Sequence, residues 1–373
     1  MEGYTNSDAK IQRVLIFTLH SQQALHVIRA LSSVGIKCYV VGHDRFAMHL
    51  FSKHCHVGFF TKRKFLEEGD DQFFQKVNSF VRKKKIDVLI GTDGDTTRML
   101  IKCRNQLKGA RVYPGPDLNL FDKLHDKWNF AELLNQFNLP QPEYQLISKV
   151  EDFDLKKLGF PVLLKPLIGA GSIGIQKIDN FSAFKSAIQE LKNKNRLPIL
   201  AQEYIDGQDI DYNVLSEDGN IIAWSIQQRI NSQKGLIRYL VNEDVAAICR
   251  ELIQRSKYTG VGHIDLRIDD KDGRVKFIEF NPRFWGSLDY STAMGLNFPY
   301  LGIQIFTKQS IIPSLPVVGD CPYLPISLAA LVRKITGRGI SIKQGSLKKW
   351  AQYLWADPLP ELIEDIRRRF RKT

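Results

Sequence analysis

The sequence has few cysteines and no long apolar segment, and both absences restrict the class of protein. It contains five cysteines among 373 residues, at Cys38, Cys55, Cys103, Cys249 and Cys321. Their odd number and wide spacing argue against a disulfide framework and favour reduced thiols. No apolar run approaches the roughly 18 residues that a membrane-spanning helix needs, and residues 1–10 are polar rather than signal-like. We therefore expect a cytoplasmic protein.

Acidic residues are also in short supply, and the formal net charge is +13 with a pI near 9.4. The basic residues are scattered in short runs without a DNA- or RNA-binding module, so we expect no specific nucleic-acid partner. One basic run lies in an amphipathic helix predicted over Leu359–Phe370. The apolar stripe of this helix comprises Leu362, Ile363, Ile366 and Phe370. We favour docking of this helix on its own protein, and weak association of the basic C-terminus with an anionic membrane is the alternative.

The first third of the chain alternates strand-like and helix-like segments, as in a doubly wound α/β domain. Strands are predicted at 14–17, 37–41 and 88–91, and a helix at 22–34. No glycine fingerprint follows the first strand, which argues against a nicotinamide- or flavin-binding domain. The polar loop 92–95 lies at a carboxyl strand end, where open α/β sheets bind ligands, although a plain strand-to-helix turn is an alternative. We place this domain at 1–118.

The residues with the clearest chemistry lie in a predicted β-hairpin. Its strands are predicted at 263–268 and 275–281, with turn-forming residues at 269–274. A turn centred on Asp272 places Asp265 opposite Glu279. It also places His263 opposite Asn281, so that all four side chains share one face. The other face is predicted to carry the apolar residues Ile264, Leu266, Ile268, Ile278 and Phe280.

Two carboxylates that face each other across a hairpin need a cation or a shared proton between them. Directly opposed Cβ atoms are only about 4.5–5.5 Å apart, which makes like charges repel. Asp265, Glu279 and Asn281 together offer the hard oxygen ligands that Mg²⁺ prefers. The hairpin therefore predicts a magnesium–nucleotide site, with a solvated acidic hairpin as the alternative.

A glycine-rich loop follows a second strand-like segment, 159–166, which contains Lys165 near its end. Gly169, Gly171 and Gly174 allow the backbone to approach phosphate oxygens, beside the positive charge of the lysine. The spacing matches neither a Walker loop nor a dinucleotide fingerprint. A plain hairpin therefore remains an alternative for this loop taken alone.

The order of these motifs resembles the ATP-grasp superfamily, most closely its carbamoyl-phosphate-synthetase-like and carboxylate–amine ligase members. The resemblance covers about 121–301. It rests on Asp126-Lys127, Lys165 with its glycine loop, Gln202-Glu203-Tyr204-Ile205 followed by Asp209, then Asp265, and finally Glu279-x-Asn281-Pro282-Arg283. It implies a two-lobed α+β ATP-grasp domain at 119–310, with a mobile lid at about 145–200. The C-terminal extension, 311–373, has no assigned role.

The resemblance implies a role for each matching residue in binding ATP. Lys127 and Lys165 would contact the phosphates, Lys165 also serving in catalysis. The loop residues that would close over the β- and γ-phosphates are Gly169, Gly171, Ser172 and Gly174. The hinge residues Glu203, Tyr204 and Ile205 would hold the adenine. Asp209 would bind the ribose hydroxyls; because the family usually has glutamate there, the neighbouring Asp211 is a second candidate.

The same resemblance implies the metal ions and the reaction. Asp265, Glu279 and Asn281 would hold Mg²⁺, or Mn²⁺ as a second possibility, and Arg283 would meet the transferred phosphoryl group. The expected activity is an ADP-forming carboxylate–amine ligase with an acyl-phosphate intermediate. The alternatives are a phosphoryl transferase and a non-catalytic ATP-binding regulator. Small-molecule carboxylate and amine substrates are expected, with Arg229 and Ser287 as candidate contacts. A homodimer is a further possibility.

Overall fold

The computed structural model of the protein describes residues 11–169, 171–230, 236–307, 317–322 and 344–370. These segments form one parallel and two antiparallel β-sheets with helices packed against them, which confirms the predicted α/β class. No helix within them is long and apolar enough to cross a membrane. The domain limits at 118 and 310 stay predictions.

The first sheet is parallel, with strand order β3-β2-β1-β4-β5. Its strands are β1 Arg13–Phe17, β2 Lys37–Gly42, β3 Cys55–Phe60, β4 Val88–Gly91 and β5 Arg111–Val112. The helices of this region are α1 Ser21–Ser32, α2 Arg63–Glu67, α3 Asp71–Lys84 and α4 Gly94–Lys102. Residues 14–17 are fully buried, as expected for a parallel strand covered on both faces. All four predicted elements of this region are confirmed to within two residues.

The second sheet is a small antiparallel one, with strand order β6-β9-β7-β8. Its strands are β6 Tyr144–Ile147, β7 Val162–Lys165, β8 Gln176–Ile178 and β9 Ile199–Glu203. Helix α7, Phe181–Asn193, covers one face, and its Phe184 packs with Phe153 and Leu164 in a separate hydrophobic cluster. Two further helices, α5 Leu118–His125 and α6 Lys127–Gln136, precede this sheet in the chain.

The third sheet is antiparallel and carries the predicted hairpin, in the order β14-β13-β10-β11-β12-β15. Its strands are β10 Gly207–Glu217, β11 Asn220–Arg229, β12 Leu236–Leu240, β13 Gly260–Asp269, β14 Val275–Asn281 and β15 Gly319–Pro322. Helix α8, Glu243–Ser256, packs its buried residues, such as Val245 and Leu252, against the apolar face of this sheet. On the opposite face, Leu215, Ala223 and Val261 belong to another hydrophobic cluster, and polar side chains occupy the part nearer the predicted site.

The hairpin register is confirmed beside the predicted site and differs near the turn. Asp265 pairs with Glu279, and His263 pairs with Asn281. A β-bulge follows Asp265, however, so that Leu266 pairs with Phe277. Phe277 is consequently buried in the core, and the prediction that Ile278 belongs to the apolar face is wrong, because this residue lies half-buried at the bulge.

The remaining helices follow the hairpin in the chain. They are α9 Leu288–Ala293, α10 Phe298–Gln304, α11 Gln344–Trp355 and α12 Leu359–Phe370. The predicted C-terminal helix therefore has the bounds expected from the sequence. The expectation that this helix docks on its own protein is confirmed by its contacts with residues 48–51 and with Arg29. Of its apolar stripe, however, Ile363 is half-buried, and Leu362 and Ile366 are 44% and 46% exposed. The side chain of Phe370 lies outside the described residues.

Candidate active site

Three adjacent strands present polar side chains on one face of the large sheet. On β10, Asp209 and Asp211 alternate with buried Ile210 and Tyr212, so the acids share a face. Asp211 pairs directly with Asp265 of β13, which in turn pairs with Glu279 of β14. The sheet therefore lines up three carboxylates across three strands.

The residues predicted to bind metal are in contact with each other and with two cations. The Nδ2 of Asn281 donates to Asp265 Oδ2 at 3.1 Å, and the Nη2 of Arg283 donates to Asn281 Oδ1 at 2.8 Å. Lys127 forms an ion pair with Glu279, with 3.3 Å between Nζ and Oε1. Burial raises the pKa of Glu279, and the charge of Lys127 opposes this rise. The cations thus offset the repulsion between the carboxylates.

His263, which sequence reasoning left outside the catalytic set, completes this cluster. Ligand atoms of Asp211, His263 and Asp265 all lie within 4.8 Å of one another. Asn213 uses its Nδ2 to donate to Ser225 Oγ, so its Oδ1 is left to accept from His263 Nδ1 at 2.7 Å. The other ring nitrogen, Nε2, then lies 3.0 Å from Asp265 Oδ1.

The electrostatic environment shifts the pKa values of Asp211 and Asp265 in opposite directions. Burial raises the pKa of Asp211 to about 6, although His263 opposes the rise. Burial also acts to raise the pKa of Asp265, but the ion pair with His263 more than reverses it and leaves this pKa below its usual value. Asp265 is therefore the more anionic of the two and the better metal ligand.

The donor set of the hairpin fits a hard divalent cation. Asp265 and Glu279 supply carboxylate oxygens and Asn281 an amide oxygen, and no soft sulfur ligand accompanies them among the described residues of this cluster. Lys127, His263, Arg283 and Lys165 supply positive charge near these carboxylates. These residues could therefore hold Mg²⁺ together with phosphate oxygens.

A cleft beside Glu279 contains the residues predicted to bind phosphate. It is lined by Lys127, Pro166, Gly169, Ser172, Ile173, Ile175 and Glu279. Asp126 caps helix α6 by accepting from the Asn129 N–H, and this places Lys127 at the first helical position with its stem buried. Its Nζ donates to the carbonyl oxygen of Gly169 at 3.0 Å. Lys127 thus connects the strand predicted to bind metal with the glycine loop.

Lys165 ends strand β7 beneath this cleft and is only 4% exposed. Its Nζ donates to Gln202 Oε1 on the neighbouring strand β9. Burial lowers the pKa of Lys165 to about 8, and the carboxylate of Glu279 opposes the shift. The structure therefore brings Lys127, Lys165 and Glu279 into one electrostatic unit.

The glycine loop has the backbone conformation that its residues permit. Gly169, Gly171 and Gly174 have φ values of 148°, 68° and 79°, and Ser172 shares the left-handed region at 61°. Such values favour glycine, since a side chain is strained there. A Cβ at Gly169 or Gly171 would meet nothing within 4 Å. The positive φ angle, and not a lack of space, therefore explains why glycine is favoured at these two positions.

The predicted adenine hinge follows strand β9. Glu203 is anchored by its N–H to Glu143 O at 2.8 Å, and Ile205 is 4% exposed. Tyr204 packs under the Nζ of Lys177, 4.0 Å from the ring centroid. Asp209 forms a 2.6 Å ion pair with Arg267 and has a largely exposed side chain. The ribose role of Asp209 and the adenine role of the hinge stay predictions.

The predicted substrate contacts differ in their surroundings. Ser287 precedes helix α9 but does not cap it; its hydroxyl is buried and accepts from Gln227 Nε2 at 2.8 Å. Arg229 ends strand β11 and is exposed. Gln227 points into the site, where it also donates to Asp211, whereas its neighbour Gln228 bonds Gln208 on the other face of the sheet.

Residues that follow strands of the first sheet form a second wall of the candidate site, across from the hairpin face. The loop 92–95 follows β4, and Asp93 caps helix α4 while accepting from the Leu19 N–H at 2.8 Å. The negative charge of Asp93 acts on Arg283, whose pKa burial lowers. His125 also faces Arg283, and burial lowers the pKa of His125 to about 4. The polar loop therefore lies close to the predicted phosphoryl-transfer residue.

Three residues of this site were not predicted to belong to it: Asn213, Gln227 and His125. The alternation of Asp209, Asp211 and Asn213 with apolar residues was a usable signal for Asn213. No pattern in the sequence relates Gln227 to Ser287, because the contact joins residues 60 positions apart.

Comparison with known proteins agrees with this geometry. Residues 195–319 match a family model described as ATP-grasp in the biosynthetic pathway with Ter operon. Residues 133–249 match the model of the D-ala D-ala ligase C-terminus. The carbamoyl phosphate synthase large chain of Thermoanaerobacter pseudethanolicus is 26% identical over 267 residues, which cover 64% of this chain and 24% of that protein. The chain thus spans about a quarter of the length of this curated relative.

Solved structures share the fold at low sequence identity. The L-amino acid ligase from Bacillus licheniformis superposes with a TM-score of 0.61 and 18% identity, covering 82% of this chain and 78% of that one. N5-carboxyaminoimidazole synthetase from Staphylococcus aureus, complexed with ADP, gives a TM-score of 0.67 and 14% identity, covering 90% and 89%. The two family-model matches and the carbamoyl phosphate synthase relative support the ATP-grasp superfamily.

Proposed function

We propose that the protein is an ATP-dependent carboxylate–amine ligase that forms an amide-type bond and releases ADP and phosphate. The observation that carries this proposal is the shared face of the hairpin, where Asp265, Glu279 and Asn281 meet Lys127 and Arg283. Such a face offers what phosphoryl transfer needs, namely metal ligands and fixed positive charges around the phosphates.

In the first step, a substrate carboxylate oxygen attacks the γ-phosphorus, and the bond from this phosphorus to the β–γ bridging oxygen breaks. Lys127, Lys165 and the N–H groups of the glycine loop would bind and orient the phosphates. Mg²⁺ held by Asp265, Glu279 and Asn281 would supply charge neutralisation and Lewis acidity. The products are an acyl phosphate and ADP.

In the second step, the amine nitrogen attacks the acyl carbon, the carbon–oxygen bond to phosphate breaks, and the amine loses its proton. Inorganic phosphate leaves with one oxygen that came from the carboxylate. Arg283 supplies a planar donor fork for the phosphoryl oxygens, and its own hydrogen bond to Asn281 fixes its position. The chain therefore needs no covalent protein intermediate.

The substrates proposed here are an amino acid or another small carboxylate and a small amine. The fold of the L-amino acid ligase from Bacillus licheniformis supports this class, since most of both chains superpose. The match to the D-ala D-ala ligase model supports it as well. ATP and Mg²⁺ are the proposed cofactors, consistent with solved relatives that contain ADP with magnesium or ATP.

The test is ADP and phosphate release with Mg·ATP over a panel of carboxylates, with hydroxylamine as a general amine acceptor. Acid-dependent hydroxamate formation is expected for the natural chain and should be lost in Glu279→Gln. A matched control is Glu217→Gln, at the exposed far end of β10, which should keep full activity.

Other outcomes of this test identify the alternatives. Acid-dependent ADP release with a stable phosphorylated product and no hydroxamate would indicate a phosphoryl transferase. Tight ATP binding without ADP release for any acid, including those of a cell extract, would indicate a regulator. Either result would contradict the ligase proposal.

A further inference from the structure

The C-terminal helix α12 turns three large apolar side chains towards solvent. Leu359, Leu362 and Ile366 are 48%, 44% and 46% exposed, and their spacing of three and four residues puts them on one helical face. A surface helix of a globular protein normally buries its apolar stripe. Its exposure therefore indicates that something outside the described residues covers it.

The orientation of α12 is fixed by polar contacts on its inner side. Glu361 forms an ion pair with Arg29, which is only 4% exposed. Just before the helix, Asp357 accepts from Ser52 Oγ at 2.6 Å and forms a second ion pair with Arg29. None of the side chains described between 359 and 367 belongs to the hydrophobic clusters. The helix is thus held by Glu361 and by Asp357 just before it. Pro360 is buried and Ile363 half-buried, whereas Leu359, Leu362 and Ile366 face outward.

A second element extends the exposed apolar surface. Phe46 is 71% exposed, and its carbonyl oxygen accepts from the guanidinium of Arg367, the residue after Ile366. Arg367 also stacks on Phe51. We call the set of Phe46, Leu359, Leu362 and Ile366 the C-terminal patch. It contains four of the twelve large apolar side chains that are exposed among the described residues, so exposure is concentrated here.

Basic residues outnumber acidic ones around the C-terminal patch, where Asp44, Glu364 and Asp365 are the acids. Arg45 and Lys53 are exposed beside it, Arg45 next to Phe46 and Lys53 with its N–H bonded to Asp357. The sequence 367–372 adds five basic residues and no acidic one, in a chain of net charge +13. Two copies of such a surface would repel each other, whereas anionic lipid headgroups would attract it.

We infer that the C-terminal patch docks on an anionic membrane surface. Leu362 and Ile366 enter the boundary between headgroups and acyl chains, and the basic residues contact the headgroup phosphates. A helix with an apolar stripe beside arginines binds lipid by buried apolar area together with charge attraction. The inference concerns a surface outside the ATP site and does not depend on the proposed ligase reaction.

The experiment is cosedimentation of the full chain with vesicles of phosphatidylcholine alone or mixed with phosphatidylglycerol. Binding is expected only to the mixed vesicles, and high salt should weaken it. The double variant Leu362→Glu, Ile366→Glu should bind at least about tenfold more weakly, since each apolar side chain no longer enters the acyl boundary. Phe46→Glu, on a separate loop, should weaken binding independently.

The control is Leu155→Glu, Val241→Glu, which adds the same charge at sites that are 52% and 46% exposed elsewhere on the chain. It should bind vesicles like the natural chain, and circular dichroism should show all variants folded. The inference is overturned by no binding to mixed vesicles, by equal binding to both vesicle types, or by equal losses in patch and control variants. A dimer that dissociates in the patch variant without any vesicle binding would instead assign the patch to a second copy of the chain.

Discussion

The two halves of the candidate site differ in how their polar groups are stabilised. The nucleotide half is built from paired charges, in which Lys127 contacts Glu279 and His263 contacts Asp265. The half proposed to bind the acceptor is a network of amides and hydroxyls, in which Gln227 bonds Ser287 and Asn213 bonds Ser225. The two halves meet where Gln227 donates to Asp211 and Asn213 accepts from His263. Both lie on the same face of one sheet.

This difference has a chemical consequence. Charges that are already paired in the free protein can be redistributed when phosphates and a cation bind, because the ligand brings charges of both signs. Neutral hydrogen-bonding groups instead select a partner by shape and by donor or acceptor pattern. We therefore expect changes in the charged half to affect turnover and ATP binding, and changes in the neutral half to affect mainly the acceptor.

The largest effect is expected for Arg283→Lys. The fork of Arg283 donates to both Asn281 Oδ1 and Phe284 O at 2.8 Å, and a lysine cannot hold both while facing a phosphoryl group. The rate of ADP release should fall about 100- to 1,000-fold, as for loss of a transition-state donor. Steady-state kinetics measures it, with ATP binding by calorimetry expected to change far less. A rate within threefold of the natural chain would remove Arg283 from the reaction.

The pH dependence of ATP binding should be the next largest effect. Because burial lowers the pKa of Lys165 to about 8, this lysine is protonated below pH 8 and loses its charge above it. The phosphates prefer the protonated form, so the dissociation constant of ATP should rise about tenfold between pH 7 and pH 9. In Lys165→Arg, which stays charged, this rise should disappear. A similar rise in the variant would assign the titration to another group.

A smaller and more selective effect is expected for Ser287→Ala in the neutral half. The change removes the hydroxyl that accepts from Gln227 Nε2 at 2.8 Å and leaves a buried amide partly unsatisfied. The KM for the acceptor substrate should rise about fivefold, since one net hydrogen bond is worth about 1 kcal/mol. The KM for ATP should be unchanged. Equal changes in both constants would show that the two halves are not separable.

The smallest effect is expected for Asp209→Glu, which restores the residue usual in the family. Asp209 is largely exposed, and its ion pair with Arg267 is accessible to water. Solvent therefore screens the charge at position 209, whether it is carried by aspartate or by glutamate. ATP affinity should change by no more than about threefold. Titration of ATP into the variant measures the change, and a larger loss would show that the shorter side chain is required for the ribose.

Much of the nucleotide half could be predicted because its residues are close in sequence. The hairpin joins Asp265 to Glu279 through a short turn, and its local pairing rule gave the correct opposition of these two carboxylates. The bulge after Asp265 could not be predicted, because it depends on burying Phe277 against helix α6 and its neighbours rather than on the turn.

The acceptor half and the C-terminal helix depend on contacts between distant parts of the chain. Gln227 meets Ser287 only because β11 and the start of α9 come together in the folded protein. The bounds of helix α12 were predicted correctly from its apolar period, but the face that it buries was not predicted. Arg29, more than 300 positions away, holds Glu361 inward, and this contact decides which face is buried.

The most direct test of the account is calorimetric titration of ADP with and without Mg²⁺ into the natural chain, Asp265→Asn and Asp272→Asn. Asp272 lies in the exposed hairpin turn, so its variant is a control for the same chemical change. We predict that Mg²⁺ strengthens ADP binding in the natural chain and the control, and that this gain is lost in Asp265→Asn. An undiminished gain in Asp265→Asn would contradict the assignment of the metal–nucleotide site to the hairpin face.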